Sequence, residues 1–156
     1  MTLGRHVLAA TWLPLLHDAL VEQGSLRLPL RGNSMLPTLP QECEIEVVPL
    51  SGPPEVGDLI VFVAGDSLVA HRLVRRDGGR LIAQGDHRLG PDRPLTPDQI
   101  LGRVAGAFVA AQRIWPTPWA RRMAWLWQVR YQVLRAARFA VRPLRRLRRR
   151  SSRPYA

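Results

Sequence analysis

A serine in a short loop is the side chain of this sequence best placed to act as a nucleophile. Ser34 lies in the segment GNSMLPTL (residues 32–39), between two stretches with strand-like composition. Small residues before Ser34 leave room for a substrate backbone, and a proline after it stiffens the chain. The candidate substrate-binding residues are therefore Gly32, Asn33, Met35 and Pro37, with a place in the core as the alternative for Met35. A serine hydroxyl attacks a carbonyl only when a nearby base takes its proton, so the rest of the chain must supply that base.

The composition of the chain restricts the choice of base. All 23 of its basic residues are arginine, and it contains no lysine. Arginine stays protonated at any working pH and cannot act as a general base. The base for Ser34 must therefore be a carboxylate or one of the four histidines, which are His6, His17, His71 and His87.

One histidine lies in a strand-like stretch, and two aspartates follow it. His71 is in the middle of the apolar stretch LVAHRLV (residues 68–74). Asp86 and Asp92 lie in the loop GDHRLGPD (residues 85–92), just after the next strand-like stretch. A catalytic histidine needs a third group to orient it, and either aspartate is suitable for a Ser-His-Asp arrangement. The spacing alone does not choose between them.

Periodicity predicts the elements that must position these residues. Apolar residues recur at three- and four-residue intervals over residues 6–23, which predicts a helix ended by Gly24 and kinked or started late by Pro14. Alternating or continuous apolar stretches bounded by Gly and Pro predict strands at residues 26–30, 44–48, 58–63, 68–75, 80–84 and 100–110. Gly102 and Gly106 indicate a bend or bulge in the last of these strands.

These elements give a mainly β fold class and a division of the chain into four parts. Residues 1–24 hold the N-terminal helix, and residues 25–111 form a small β domain of short strands, either a sandwich or a partly open barrel. Residues 112–143 form a helical region, and the Arg-rich residues 144–156 are expected to be disordered.

The positive charge of the chain is concentrated after the β domain. The net charge is +11 overall, but −2 over residues 1–112 and +13 over residues 113–156. Periodicity over residues 119–141 predicts a basic amphipathic helix carrying tryptophans, which either packs on the β domain or lies on an anionic membrane surface. Nucleic acid is a weaker choice of partner, because no helix-turn-helix or RNA-binding motif accompanies the charge.

Several classes of protein are disfavoured by the composition. Cys43 is the single cysteine, so we expect a packing role for it, no internal disulfide, and neither a structural zinc site nor another metal or cofactor.

The apolar stretch at residues 7–21 is too short to span a bilayer and lacks the cleavage pattern of a secretory signal. The longer stretch at residues 119–141 carries five arginines, each costing about 2.5–3.5 kcal/mol at the centre of a bilayer. We therefore expect a cytoplasmic or peripheral membrane protein.

Four motifs in this chain resemble those of the signal peptidase I family, which belongs to a wider class of serine peptidases that also includes self-processing repressors. They are GNSMLPTL (32–39), VGDLIVF (56–62), AHRLV (70–74) and QGD (84–86). Their order and approximate spacing match across residues 30–107, about half of the chain. The family places either lysine or histidine in the third motif. This sequence is similar to the histidine version of the endoplasmic reticulum and archaea.

The resemblance implies roles for the candidate residues. It implies Ser34 as nucleophile, His71 as base and Asp92 as the group that orients His71, with Asp86 in an auxiliary or structural role. It also implies an oxyanion hole built mainly from the backbone N–H of Ser34. Family members often add a hydroxyl two residues before the nucleophile, where this chain has Gly32.

The resemblance further implies a small signal-peptidase-like or repressor-like β domain and a serine endopeptidase. Its substrate would be an extended leader or precursor peptide with a small residue before the scissile bond. Two other functions fit the same residues: a self-processing regulator, disfavoured because residues 1–24 are too short for a DNA-binding domain, and an inactive module that binds extended peptides. The transmembrane anchor and the large insertion usual in signal peptidases are not seen in this sequence.

Overall fold

The computed structural model describes residues 6–115 together with the helical positions Leu126, Val129 and Val133. Within residues 6–115 the chain forms one α-helix and seven strands. The helix α1 spans His6–Gln23, and a 3₁₀ turn spans Pro97–Gln99. The strands are β1 Leu26–Arg31, β2 Glu42–Val48, β3 Leu59–Ala64, β4 Ser67–Asp77, β5 Arg80–Gln84, β6 Ile100–Val109 and β7 Gln112–Trp115. The mainly β fold class and the N-terminal helix are confirmed. The predicted amphipathic helix over 119–141 lies, apart from the three positions named, outside the described residues, as does the Arg-rich tail.

The strands form one continuous antiparallel sheet rather than two separately bonded sheets. Their order is β1-β2-β6-β3-β4-β5, with β7 paired to β6. The register of β6 shifts against both β2 and β3. Gly102 lies at this place because a Cβ there would meet the Val48 carbonyl oxygen at 2.4 Å. Glycine thus permits the close approach that bends the sheet, as the sequence predicted for this strand.

Two apolar clusters pack on opposite faces of this sheet. Strand β3 contributes to both, since Leu59 and Val61 lie in the first cluster and Ile60 and Phe62 lie in the second. Successive side chains of a strand point to opposite faces, so a strand covered on both sides needs a continuous apolar run. This explains the LIVFV sequence of β3, which is the buried centre of the domain.

Helix α1 covers the first cluster. Leu20 is fully buried there, and Leu13 and Leu16 pack against the same cluster. His17 adds a polar tether, because its Nε2 lies 2.9 Å from the Ile100 carbonyl oxygen at the start of β6. This bond gives His17 a structural role. Among the described residues, no helix has the length and apolar character needed to cross a bilayer.

The sheet continues beyond the expected boundary at residue 111. Strand β7 pairs with the end of β6 and reaches Trp115. The turn between them is made by Ala110 and Ala111, with φ values of 47° and 65°. Tight hairpins with positive φ at both central positions ordinarily use Gly, Asn or Asp. An Ala-Ala turn carries no such signal, which is why the sequence did not predict β7.

Candidate active site

Three of the predicted site residues form a continuous chain of hydrogen bonds. Ser34 lies in the turn that follows β1, His71 lies on β4, and Asp92 lies in the loop that follows β5. The Oγ of Ser34 is 3.0 Å from His71 Nε2. The opposite ring nitrogen, Nδ1, is 2.6 Å from Asp92 Oδ2. When Nδ1–H donates to Asp92, Nε2 keeps a lone pair and accepts the proton of Ser34.

The base of this triad is held away from water. His71 is 2% exposed, and its ring makes an edge contact with Phe62 at a centroid distance of 6.0 Å. Ser34 is half-buried, and the Asp92 side chain keeps 20% of its surface exposed. Because the imidazole is packed by the sheet and bonded at both nitrogens, its orientation is fixed before a substrate arrives.

The segment 85–92 brings the triad together. Ala83 O accepts a hydrogen bond from Asp92 N–H at 2.8 Å, which closes the segment beside the end of β5. At its other end, His87 N–H donates to Ser34 O at 2.8 Å, and Gln84 Nε2 donates to Arg88 O at 2.7 Å. One loop therefore supplies the carboxylate that contacts His71 and also fixes the backbone of Ser34.

Gly85 is required where this loop meets the triad. A Cβ at this position would lie 2.6 Å from Ser34 O, 3.0 Å from His71 Nε2 and 3.1 Å from Ser34 Cβ. The first distance is shorter than real side chains show, and it is to a backbone atom; the other two are tight contacts. The glycine allows Ser34 and His71 to approach each other.

Replacement of Gly85 by alanine should therefore separate Ser34 from His71. We expect kcat/KM for peptide cleavage to fall about 100-fold, since a displacement of about 1 Å at a reacting group costs that much. Gly52→Ala is a matched control because its Cβ would meet nothing within 4 Å. Equal activity of the two variants in a peptide-cleavage assay would contradict the assigned role of Gly85.

Asp86, expected among the catalytic residues in an auxiliary or structural role, forms an ion pair with Arg72. Its Oδ1 accepts from Arg72 Nε at 3.0 Å, and its Oδ2 accepts from Arg72 Nη2 at 2.8 Å. Oδ2 also accepts from the Thr38 hydroxyl at 2.5 Å. The reason is that Arg72, on β4 next to His71, presents a buried guanidinium that needs a carboxylate. Asp86 is thus a structural residue, and Asp92 is the one that contacts the base.

The Arg72–Asp86 pair connects the four sequence motifs. Arg72 and Asp86 belong to the third and fourth motifs, and Thr38 belongs to the first. Arg72 Nη1 also donates to the Gly57 carbonyl oxygen of the second motif at 2.8 Å. His71 and Arg72 pair across the sheet with Ile60 and Leu59, which face the second and first core clusters respectively. Two adjacent residues of β4 thus have different tasks. His71 belongs to the triad, and Arg72 belongs to the buried ion-pair network that joins the motifs.

The predicted substrate-binding residues separate into two groups. Gly32, Asn33 and Pro37 are exposed around Ser34. Met35, for which the sequence left the cleft and the core open, is only 3% exposed and belongs to the first core cluster. Leu39 N–H donates to Met35 O at 3.0 Å, and Leu39 is buried in the same cluster. The two side chains anchor the serine loop to the core.

The roles of Thr38, Arg72 and Gly85 were not assigned from the sequence, although all three lie within the motifs. A charged residue inside an apolar strand, as in LVAHRLV, is the signal that could have indicated a buried ion pair.

Cys43 is half-buried on β2, and burial raises the pKa of its thiol, which disfavours it as a competing nucleophile. Among the described residues, no group of three or more His, Cys, Asp or Glu side chains is arranged to hold a metal ion.

Comparisons of this chain with protein-family models and with curated proteins found no match.

Proposed function

We propose that this chain is a serine endopeptidase of the signal peptidase type, which cleaves an extended leader or precursor peptide. The observation that carries this proposal is the hydrogen-bond chain Ser34 Oγ–His71 Nε2–Asp92, with distances of 3.0 and 2.6 Å. Nucleophile, base and orienting group lie in the relation that acyl transfer requires. The buried network that joins all four motifs gives the family resemblance a physical basis, because it explains why these residues occur together.

Each step of the reaction has a group to perform it. Ser34 Oγ attacks the peptide carbonyl carbon while His71 Nε2 takes its proton, and Asp92 stabilises the imidazolium that forms. The imidazolium then gives its proton to the leaving amine as the C–N bond breaks, which leaves an ester on Ser34. Water attacks this ester with His71 again as base, and release of the acid restores the Ser34 hydroxyl.

The developing oxyanion needs hydrogen-bond donors near the nucleophile. We assign this task to the backbone N–H of Ser34, as the family resemblance implies. Gly32 stands where many relatives of this type carry a hydroxyl, so it provides no side-chain donor. One such donor is worth on the order of 3 kcal/mol of barrier in other enzymes, so this site is expected to be slower than relatives that have it.

The substrate should bind in an extended conformation beside β1. This strand pairs with β2 on one side and, among the described strands, has no partner on the other. It ends at Arg31, three residues before Ser34. A peptide that adds to this edge as a further strand would carry its scissile bond toward the nucleophile. The family resemblance implies a small residue before that bond.

Replacement of Asp92 by asparagine should reduce kcat about 10³- to 10⁴-fold with little loss of stability. An asparagine amide can donate to Nδ1, which would stabilise the wrong tautomer and place the ring proton on Nε2 toward Ser34. Asp98→Asn, which changes an exposed aspartate in the next turn, is the matched control. Similar kcat values for the two variants would show that Asp92 does not orient the base.

The function itself is tested with the full chain and a synthetic peptide that contains Ala-x-Ala before a defined bond. We expect cleavage after the second alanine, detected by mass spectrometry, and its loss in His71→Ala. Peptide binding without turnover by the intact protein would instead favour a peptide-binding module.

A further inference from the structure

We propose that Arg88 and Arg93 form a carboxylate-binding subsite beside the nucleophile, which selects peptides with an acidic residue within about three positions of the scissile bond. The proposal rests on the proposed peptidase function and extends it to a substrate class. Both arginines are exposed and lie on or next to the segment 85–92 that assembles the triad.

The backbone contacts of the triad place both arginines at the site. Arg88 directly follows His87, whose N–H is 2.8 Å from the carbonyl oxygen of Ser34. Arg93 directly follows Asp92, whose carboxylate is 2.6 Å from His71 Nδ1. Consecutive Cα atoms are about 3.8 Å apart, so each arginine starts one residue away from a group bonded to the catalytic serine or histidine.

Arg88 is held at this place by two bonds of its own backbone. Its N–H donates to Gly85 O at 2.9 Å, and its carbonyl oxygen accepts from the buried Gln84 side chain at 2.7 Å. A charged side chain on a backbone fixed in this way loses less conformational freedom on binding than one on a loose loop. The segment therefore fixes the backbone position from which the Arg88 side chain extends.

The two acidic side chains near the site each have a basic partner, whereas no ion pair is formed by Arg88 or Arg93 among the described residues. Asp86 is bonded to Arg72 and Asp92 is bonded to His71. Among the described residues, no carboxylate lies within 4.0 Å of the Arg88 or Arg93 guanidinium. All twelve acidic side chains of the chain lie between residues 18 and 98, within the described part.

A peptide carboxylate is the partner that fits these groups. Guanidinium groups bind carboxylates through two parallel hydrogen bonds, which gives directional selection as well as attraction. An extended chain advances about 3.3 Å per residue, so an arginine that follows the residue bonded to Ser34 and one that follows the residue bonded to His71 can reach carboxylates on the two or three residues around the scissile bond. The pairs would be partly exposed, so the preference should be several-fold and should shrink with salt.

The test compares two peptides that differ only at two positions flanking the Ala-x-Ala cleavage site, Glu in one and Gln in the other. For the unaltered protein at low salt, we expect kcat/KM to be about 3- to 10-fold higher for the Glu peptide. The double variant Arg88→Gln/Arg93→Gln should reduce this ratio to near one. Arg80→Gln, at the far end of β5, is the matched control and should keep it.

Binding measurements separate this proposal from the proposed function. Fluorescence anisotropy with Ser34→Ala should show the same preference for the labelled Glu peptide. Cleavage of both peptides at equal rates would overturn the subsite and leave the peptidase standing. Cleavage of neither would refute the peptidase, and the binding preference would then decide the subsite alone. Loss of anionic-vesicle binding in the double variant, with peptide preference unchanged, would reassign the arginines to a lipid headgroup.

Discussion

Replacement of Ser34 by alanine should reduce kcat for peptide cleavage about 10⁴- to 10⁶-fold, because it removes the atom that forms the covalent bond to the substrate. Ser34 Oγ is 3.0 Å from His71 Nε2, and no other atom of residue 34 can take its place. Peptide binding should be retained, since the turn is held by backbone bonds and by the buried Met35. Turnover and binding, measured separately, therefore distinguish a catalytic role from a structural one.

The matched control for this prediction is Ser51→Ala, which alters an exposed serine in the loop after β2. Both variants should unfold at the same temperature as the unaltered protein. Full activity of Ser34→Ala would show that the observed cleavage uses another nucleophile or comes from a contaminant. The pair of variants also tests whether a loss of activity is specific to residue 34.

Replacement of Arg72 by methionine should destabilise the domain by about 3–5 kcal/mol. The Asp86 side chain is 2% exposed, and without Arg72 its charge would be buried and lack its main partner. A loss of this size is a large part of the 5–15 kcal/mol that stabilises a typical domain. Urea unfolding followed by tryptophan fluorescence measures it, and peptide cleavage should fall in parallel because the motifs separate.

Two further variants show whether burial is the cause. Arg75→Met removes the ion pair between Arg75 and Asp77, which has a similar length of 2.7 Å. The side chains of Arg75 and Asp77 are 32% and 60% exposed. This pair should contribute less than about 1 kcal/mol. The double variant Arg72→Met/Asp86→Leu should recover much of the stability lost in Arg72→Met, because it leaves no unpaired charge. If Arg72→Met and Arg75→Met destabilise equally, the buried network does not hold the motifs together.

The parts of the fold that could be predicted are those with a strong local signal. Helix α1 begins and ends as the periodicity indicated, and β5 has the predicted bounds. Strand β3 was predictable because burial on both faces demands an uninterrupted apolar run. Strand β7 could not be predicted, because the Ala-Ala turn before it adopts positive φ angles. Alanine does not normally favour such angles, so the composition gives no sign of a turn.

The site shows the same division between local and tertiary information. Ser34 and His71 are recognisable from their motifs, but the choice between two aspartates depends on where one loop closes. Asp92 N–H bonds to Ala83 O and so brings its carboxylate to His71, whereas Asp86 meets a buried Arg72 from the adjacent strand. For Met35 the sequence left the cleft and the core open, because a residue next to Ser34 can point either way, and its burial in the first cluster decides for the core.

The most direct test of the account is to trap the covalent intermediate. The full chain is mixed with an activated ester of a short peptide ending in Ala-x-Ala, quenched in acid within milliseconds to seconds, digested and mapped by mass spectrometry. We expect the mass of the acyl group on Ser34, and a much smaller yield in His71→Ala. Hydrolysis of the ester without any acyl group on Ser34, or with the acyl group on another residue, would contradict this expectation.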